Sequence, residues 1–433
     1  MHRAFTYRLH PTVKQSRAIA SSIRLQCELY NASLEERVMT YKWHKRGVSS
    51  AKAPTKFDQF RTLTGLFELR PELASFGVTV CRGTLTRLDE AFRGFFSRVE
   101  KGQAPGFPRF KSVARFDSLT WCDAKGWRLD EKTRRLYIQG VGHVKLNLHR
   151  PLAGTAKTLT IARRGAHLEA TVFCAKVPKQ LLPATGNMVG LDLGVGVLVA
   201  GSDGTLYDHP RHRRRLAPLL KKAQAERSRH TKGSSRHKKA TTQIARLKHK
   251  EATRRTDALH KLSRLIVREN DLIVVEDLRI ANMSRSARGT REHPGRHVAA
   301  KSGLNDAVMD SGWRMLIAMI TYKAEGAGRT VIKVSPRHTS QRCSIWGFAA
   351  AANRHRQKFS CLSCGAVAHA DVNAARNILR AGLARGGIEA RLVNGAGKSL
   401  TCAFAQVIVR RALTAAFRRS HSGLSHDRPC EAQ

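Results

Sequence analysis

Residues 189–200 read VGLDLGVGVLVA, an apolar run broken by one acid, Asp192. A bare carboxylate taken out of water costs on the order of several kcal/mol unless a partner compensates it. One reading is a strand-end aspartate capping its own turn, with the following GSDG as a hairpin turn. The other is a metal ligand, which requires further acids. Two stand in suitable places: Glu276, at the end of the apolar DLIVVEDL, and Asp371, at the start of the helical HADVNAARNI. Singly, Glu276 reads as a strand-end surface residue and Asp371 as a helix N-cap. Together the three acids point to one cleft, formed by a central strand, a strand end and a helix start.

The chemistry expected of such a trio is phosphodiester hydrolysis. Two divalent ions about 3.5–4 Å apart help to deprotonate an attacking water and to stabilise the leaving oxygen. Oxygen ligands suit Mg2+, which takes a few carboxylates and keeps several waters. On this reading Asp192, Glu276 and Asp371 are catalytic and hold two Mg2+ ions, with Asp192 as the bridging ligand.

Composition narrows the substrate. The 433 residues carry 78 Lys and Arg against 32 Asp and Glu, a formal charge of +46. Charge of that size opposes compaction unless a polyanion neutralises it, so nucleic acid is the expected partner. No apolar run approaches the roughly 18 residues of a spanning helix, and the start lacks a signal-peptide core. Nine cysteines, an odd number scattered through a long chain, fit a reducing compartment. The expected setting is the cytosol, with nucleic acid and no membrane as partner.

The elements that would position the acids follow from periodicity. FTYRL, 5–9, is a strand; 13–41 and 77–99 are helical, with Val80, Leu85, Leu88, Phe92 and Phe95 on one face of the second. KGQAPGFPRFK, 101–111, is a Gly/Pro-punctuated linker that offers Arg109 and Lys111 to nucleic acid, while its Phe107 and Phe110 are assigned no role. Alternating segments up to Phe173 read as an antiparallel sheet or small barrel interrupted by the helices. A second unit opens near 187. Between 211 and 255 lie 17 Lys or Arg and two acids, a pattern that suits a helical pair along a phosphate backbone, with Arg213, Arg214 and Arg215 in contact with it. A separate amphipathic helix, 257–269, leads into DLIVVEDL, a strand of the kind buried in parallel sheets. Leu304 to Ala324 is helical with Trp313 in the core, and TVIKV, 330–334, is a further buried strand. The order is that of an α/β fold of the ribonuclease H kind.

These segments resemble the TnpB family, transposon-encoded RNA-guided DNA endonucleases that are ancestral relatives of type V CRISPR nucleases. YRLHPTVKQ, GFPRFKS, GLDLGV, VVEDLRIANM, DSGWRMLIAMITYKAEGAGRTVIKVSPRHTSQRCS and CLSCGAVAHADVNAARNI carry the resemblance in order, over roughly residues 3–382. It implies an N-terminal wedge-type β-barrel (1–12 and 101–186) interrupted by a helical recognition insert (13–100). It also implies a split RuvC, RNase H-like nuclease domain (187–337 and 369–400), a zinc-finger-like insert (338–368) and an accessory tail (401–433), in which 403–419 has helical spacing. Its partners would be a guide RNA from the transposon end and double-stranded target DNA, cut beside a short motif. A cleavage-deficient RNA-guided regulator and a transposase-like protein are the competing functions.

The departure is at the cysteines. The family has two C-x-x-C pairs, which suit tetrahedral zinc. Here CLSCG supplies Cys361 and Cys364, but CSIWG supplies Cys343 alone, with Trp346 in the partner position. His338, His355, His369 or water as fourth ligand, or loss of the zinc, are the alternatives left open. The segment 338–370 is then expected to be mobile, most of all at 349–353, and the remaining six cysteines to be buried or incidental.

Overall fold

The computed structural model describes residues 1–165 and 167–385; the end of the split nuclease segment and the accessory tail, with the helix expected at 403–419, lie outside the described residues. The chain divides into two compact units, Met1–Pro178 and Lys179–Gln433.

The first unit opens with β1 (Arg3–His10), then α1 (Val13–Lys45), α2 (Lys56–Arg61), α3 (Leu63–Leu69), α4 (Pro71–Ala74) and α5 (Val78–Glu100). Alternation in β1 turns Phe5, Tyr7 and Leu9 inward. Thr12 and Gln15 start α1 with a reciprocal capping box, satisfying two otherwise orphaned N–H groups. β2 (Ser118–Trp121), β3 (Trp127–Asp130), β4 (Arg135–Ile138), β5 (Gly142–Leu146), β6 (Thr155–Arg164) and β7 (His167–Ala175) complete an antiparallel sheet with β1. Its seven strands run in the order β2-β6-β7-β1-β5-β4-β3. β2 and β3 stand at the two ends of that order and, among the described residues, share no ladder. The inner faces of α1 and α5 share one core with it, built around Ile19, Ile23, Tyr30, Leu85, Leu88, Trp121 and Leu159.

The second unit contains β8 (Met188–Asp192), β9 (Val197–Gly201), β10 (Leu206–Asp208), α6 (His212–Arg229), α7 (Ser235–Glu269) and β11 (Leu272–Glu276). α8 (Ile280–Met283), α9 (Val298–Ser311), α10 (Trp313–Ala327), β12 (Thr330–Val334), β13 (Arg354–His355), β14 (Lys358–Ser360), β15 (Val367–His369) and α11 (Ala370–Arg385) follow. The five-stranded order is β10-β9-β8-β11-β12; the first three strands are antiparallel neighbours, and β8, β11 and β12 run parallel.

Several expectations are corrected here. VGLDLGVGVLVA is two strands, not one: the chain turns after Asp192, so the acid sits at a strand end rather than inside an apolar run. The basic stretch is a helical hairpin whose small core joins Ala223, Ile244 and Leu247, but α7 continues unbroken to Glu269, because nothing in EATRRTDALHK disfavours helix. Among the described residues β12 is an edge strand in which Val334 alone is buried, with no neighbour on one flank. The 349–353 segment ends on an anchored residue. The buried Asn353 amide donates to the carbonyls of Gln341 and Phe348, and its oxygen accepts from the Leu362 N–H. Trp313 is in the core, as its spacing predicted. Among the described residues no helix is long and apolar enough to cross a membrane.

Candidate functional site

Parallel pairing brings two of the acids together. Val275 is in register with Leu191, so Glu276 and Asp192 are the next residues of neighbouring strands, at the carboxyl edge of the sheet. That edge is where open α/β sheets bind ligands. The third acid arrives on α11, whose backbone lies against β8: a Cβ on Gly190 would stand 2.2 Å from the Ala375 carbonyl oxygen. Gly382 makes the matching close approach to Val274 one sheet position over. A helix docked this tightly carries Asp371, in its first turn, over the ends of β8 and β11. Asp192, Gly194, Lys301, Arg354, Gln357 and Asp371 are among the residues lining a cavity of about 470 Å³.

The cysteine-bearing segment is fastened to the same helix. Asn373 accepts from the Ser344 N–H and donates to the Arg342 carbonyl; Asn377 donates to the carbonyls of Thr339 and Arg342. Spacing of four residues puts both amides on one face of α11. Thr339, held by this clasp, donates to Glu276 Oε1 at 2.6 Å. Arg354, from the strand between the cysteines, donates to Asp371 Oδ1 at 2.6 Å. Sequence reading missed Thr339, Arg354, Asn373 and Asn377. The two asparagines had a signal, as amides spaced four apart on one face of a helix; Thr339 and Arg354 had none.

Electrostatics mark the site as short of positive charge. Asp192 is pushed up to about 7, chiefly by burial and then by Glu276 and Asp371, while Arg354 pulls it back. Burial likewise raises Glu276, against the Thr339 hydrogen bond and Arg354. A carboxyl whose folded-state pKa exceeds its unfolded one binds the extra proton in the fold. The contribution to stability is therefore present below about pH 4 and is lost as pH rises through about 7. Urea unfolding of the metal-free protein is expected to give a stability that falls from about pH 5 to about pH 8 by a few kcal/mol, with Asp192→Asn removing most of that slope. An unchanged slope in the variant would place the strain elsewhere.

A second cluster lies beside the first. Cys343, Cys361 and Cys364 have sulfurs within 4.8 Å of one another, and Cys343 Sγ is 3.7 Å from Cys364 Sγ. Sulfurs bound to one tetrahedral ion at about 2.3 Å lie about 3.8 Å apart, so the spacing is that of zinc ligands. A disulfide would need about 2.05 Å. The turns holding them are twins. Gly347 N–H donates to the Cys343 carbonyl and Cys343 N–H to the Phe348 carbonyl, as Gly365 does to Cys361 and Cys361 to Ala366. Trp346 keeps the knuckle backbone, donating its N–H to Cys343 Sγ, but its ring is 71% exposed. None of His338, His355 and His369 joins the sulfurs. Cys27, Cys81 and Cys174 are buried and Cys122 half-buried, while Cys402 and Cys430 lie outside the described residues.

The basic residues divide. Arg214 and Arg215 are exposed on α6, whereas Arg213 pairs with Asp306 at 3.1 Å. Arg109 is exposed. Lys111 is half-buried, its ammonium 4.4 Å from the centre of the Tyr30 ring, and burial lowers its pKa. It is a packing residue of the first unit rather than a free cation.

Residues 172–287 match OrfB_IS605, described as "Probable transposase", and residues 313–378 match the Cas12f1-like TNB domain. An Escherichia coli K12 protein named "Putative RNA-guided DNA endonuclease InsQ" is 35% identical over 300 residues, 69% of this chain and 73% of its own. A "Putative RNA-guided DNA endonuclease" of Streptomyces pristinaespiralis is 31% identical over 388 residues, 88% of this chain and 90% of its own. The chain belongs to the TnpB family. A shorter stretch of this TnpB chain, 60 residues or 14% of its length, is 57% identical to a CRISPR-associated endodeoxyribonuclease Cas12f1 of Sulfoacidibacillus thermotolerans, covering 14% of that protein.

Proposed function

We propose that this TnpB chain is a guide-RNA-directed, Mg2+-dependent DNA endonuclease that cuts target DNA beside a short motif. The observation that carries it is the convergence of Asp192, Glu276 and Asp371 on one cleft, with the Asp192 carboxyl pushed up to about 7. The site sets three acids against one arginine, Arg354, and hard oxygen donors fit Mg2+. When bound, the ions supply an activated water and stabilise the leaving oxygen. The chain's own part is to hold the carboxylates ready: Thr339 fixes Glu276, and Arg354 holds Asp371 and offsets the negative charge. Lys301, on the cavity wall, offers a cation to the scissile strand.

Residues 187–337 and 369–400 form the RuvC-type, RNase H-like nuclease domain in this proposal, and 338–368 a zinc knuckle with three thiolate ligands. Residues 1–12 and 101–186 form the wedge, and 13–100 the recognition insert. The guide RNA and the duplex target are the polyanions that +46 serves, and the setting is cytoplasmic. The test is to sequence the RNA that co-purifies with the chain, rewrite its guide portion and assay a matching plasmid with Mg2+. Cutting that follows the guide supports the proposal; guide-directed binding without cutting would make the protein a regulator instead.

Arg214 and Arg215 are the residues of the Arg213–Arg215 trio free to meet phosphate. Each neutralised phosphate contact on duplex DNA contributes about 0.9 to the slope of log K against log salt. Replacing both with Gln is expected to lower that slope by nearly two, and Arg213→Gln by much less. Equal effects from all three would show that the Asp306 pair opens on binding.

A further inference from the structure

The clasp between Asn377 and Arg342 also borders a second cavity, of about 780 Å³, which shares no lining residue with the acid cleft. One wall is the chain from Val334, the last residue of β12, through Thr339 to Arg342; the other is a face of α11. Arg380, Ala381, Ala384 and Arg385 recur along that face at helical spacing. The small side chains of Ala381 and Ala384 leave a groove between the two arginines.

The groove is lined by Arg337, Arg342, Arg380 and Arg385, with His338 beside them and no acid. Glu276, which touches this wall through Thr339, is itself buried. Arg337, Arg342 and Arg385 are exposed and Arg380 is half-buried, so the charges are open to a ligand. Two of them are aimed by the fold: Arg380 Nη2 donates to the Ser344 carbonyl and Arg385 Nη1 to the Lys333 carbonyl, each at 2.6 Å. A guanidinium has five N–H donors, so both keep several free. Like charges gathered around one groove repel one another. Residues 386–433 hold more Lys and Arg than Asp and Glu, so that segment brings no net countercharge.

Forked guanidinium donors match the paired oxygens of phosphate. Arg380 and Arg385 are separated by about 7.5 Å along the axis of α11, at about 1.5 Å per residue. Charges of one duplex strand recur about every 3.4 Å along its axis, so that separation suits successive phosphates better than a single one. We propose that this groove holds the phosphodiester backbone of a nucleic-acid strand, away from the cleft where the strand is cut. The inference rests on the nucleic-acid reading above and adds an anchoring surface to it. RNA and DNA strands share this chemistry, and the probes below separate them.

The test uses the full chain, stripped of co-purified RNA in high salt. Its probes are a 20-nucleotide RNA, the same sequence as single-stranded DNA, the corresponding DNA duplex, and inorganic tripolyphosphate. Phenylglyoxal modifies accessible arginines, and peptide mapping by mass spectrometry reads each position. Arg337 and Arg342 are expected to react readily in the free chain and several-fold more slowly with a strand bound. Replacing both with Gln should lower the slope of log K against log salt by nearly two on the duplex and by about 1.4 on a single strand. Lysine at both positions should restore the slope. Both side chains are exposed, so the variants should melt as wild type does. The strand that protects best names the source. Strands that bind while these arginines stay unprotected, or while the double Gln variant keeps its slope, refute the groove and leave the nuclease reading intact. Protection by tripolyphosphate alone would make the occupant a free phosphate ligand and overturn the proposal. Failure to bind any strand refutes both.

Discussion

Asp192→Ala is expected to reduce guide-directed DNA cleavage by roughly three orders of magnitude or more, with target binding kept within a few-fold. Removing one member of a group that acts as a unit costs almost as much as removing all. Glu276→Ala and Asp371→Ala should do the same, and Ca2+ in place of Mg2+ should preserve binding but stop cutting, because Ca2+ tolerates looser geometry. The surroundings refine each variant. Glu276→Ala leaves the Thr339 hydroxyl a partner in the Pro336 carbonyl, so it should fold well. Asp371→Ala strips Arg354 of its partner next to a buried site, which makes Asp371→Asn the cleaner test. Asp192→Ala removes a carboxyl that is costly to ionise, so the metal-free variant should melt higher than wild type above pH 7. Loss of activity with a gain in metal-free stability is the signature of a ligand. Full activity in any one variant would remove that residue from the trio.

Trp346→Cys is expected to turn a three-thiolate knuckle into a four-thiolate one. The backbone is already in place, since the Cys343 turn makes the same hydrogen bonds as the Cys361 turn. The indole it replaces is exposed, so little packing is lost. Structural zinc in peptide sites is bound with about 10–16 kcal/mol, or some 3–4 kcal/mol per ligand. Exchanging a solvent ligand for a thiolate should therefore tighten zinc by roughly a hundredfold or more. Competition with a chromophoric chelator measures it, and Co2+ substitution counts thiolates from the sulfur-to-metal absorption, three in the native chain and four in the variant. Chelation should loosen the native segment from Thr339 to Arg354, and with it the groups that hold Glu276 and Asp371. A native chain showing four protein ligands would mean that a histidine moves in when the metal binds.

Residue type and order carried much of this protein in the sequence itself. The acids, their strand-end and helix-start positions, the helical pair and the incomplete cysteine set were all legible, because each is a local pattern of apolar period, turn chemistry or spacing. Where VGLDLGVGVLVA turns was not legible: a run apolar on both sides of a turn has no change of period to show where it bends. The edge position of TVIKV was likewise hidden, since sheet order is fixed by partners far along the chain. Lys111 looked like any linker cation until Tyr30 was found beneath it. Tertiary structure alone brought Thr339 to Glu276 and Arg354 to Asp371, across 63 and 17 residues. It also pressed α11 onto β8 at Gly190. Periodicity reports which face of an element is buried; which polar group it meets there depends on long-range docking, and a single side-chain hydrogen bond leaves no period behind.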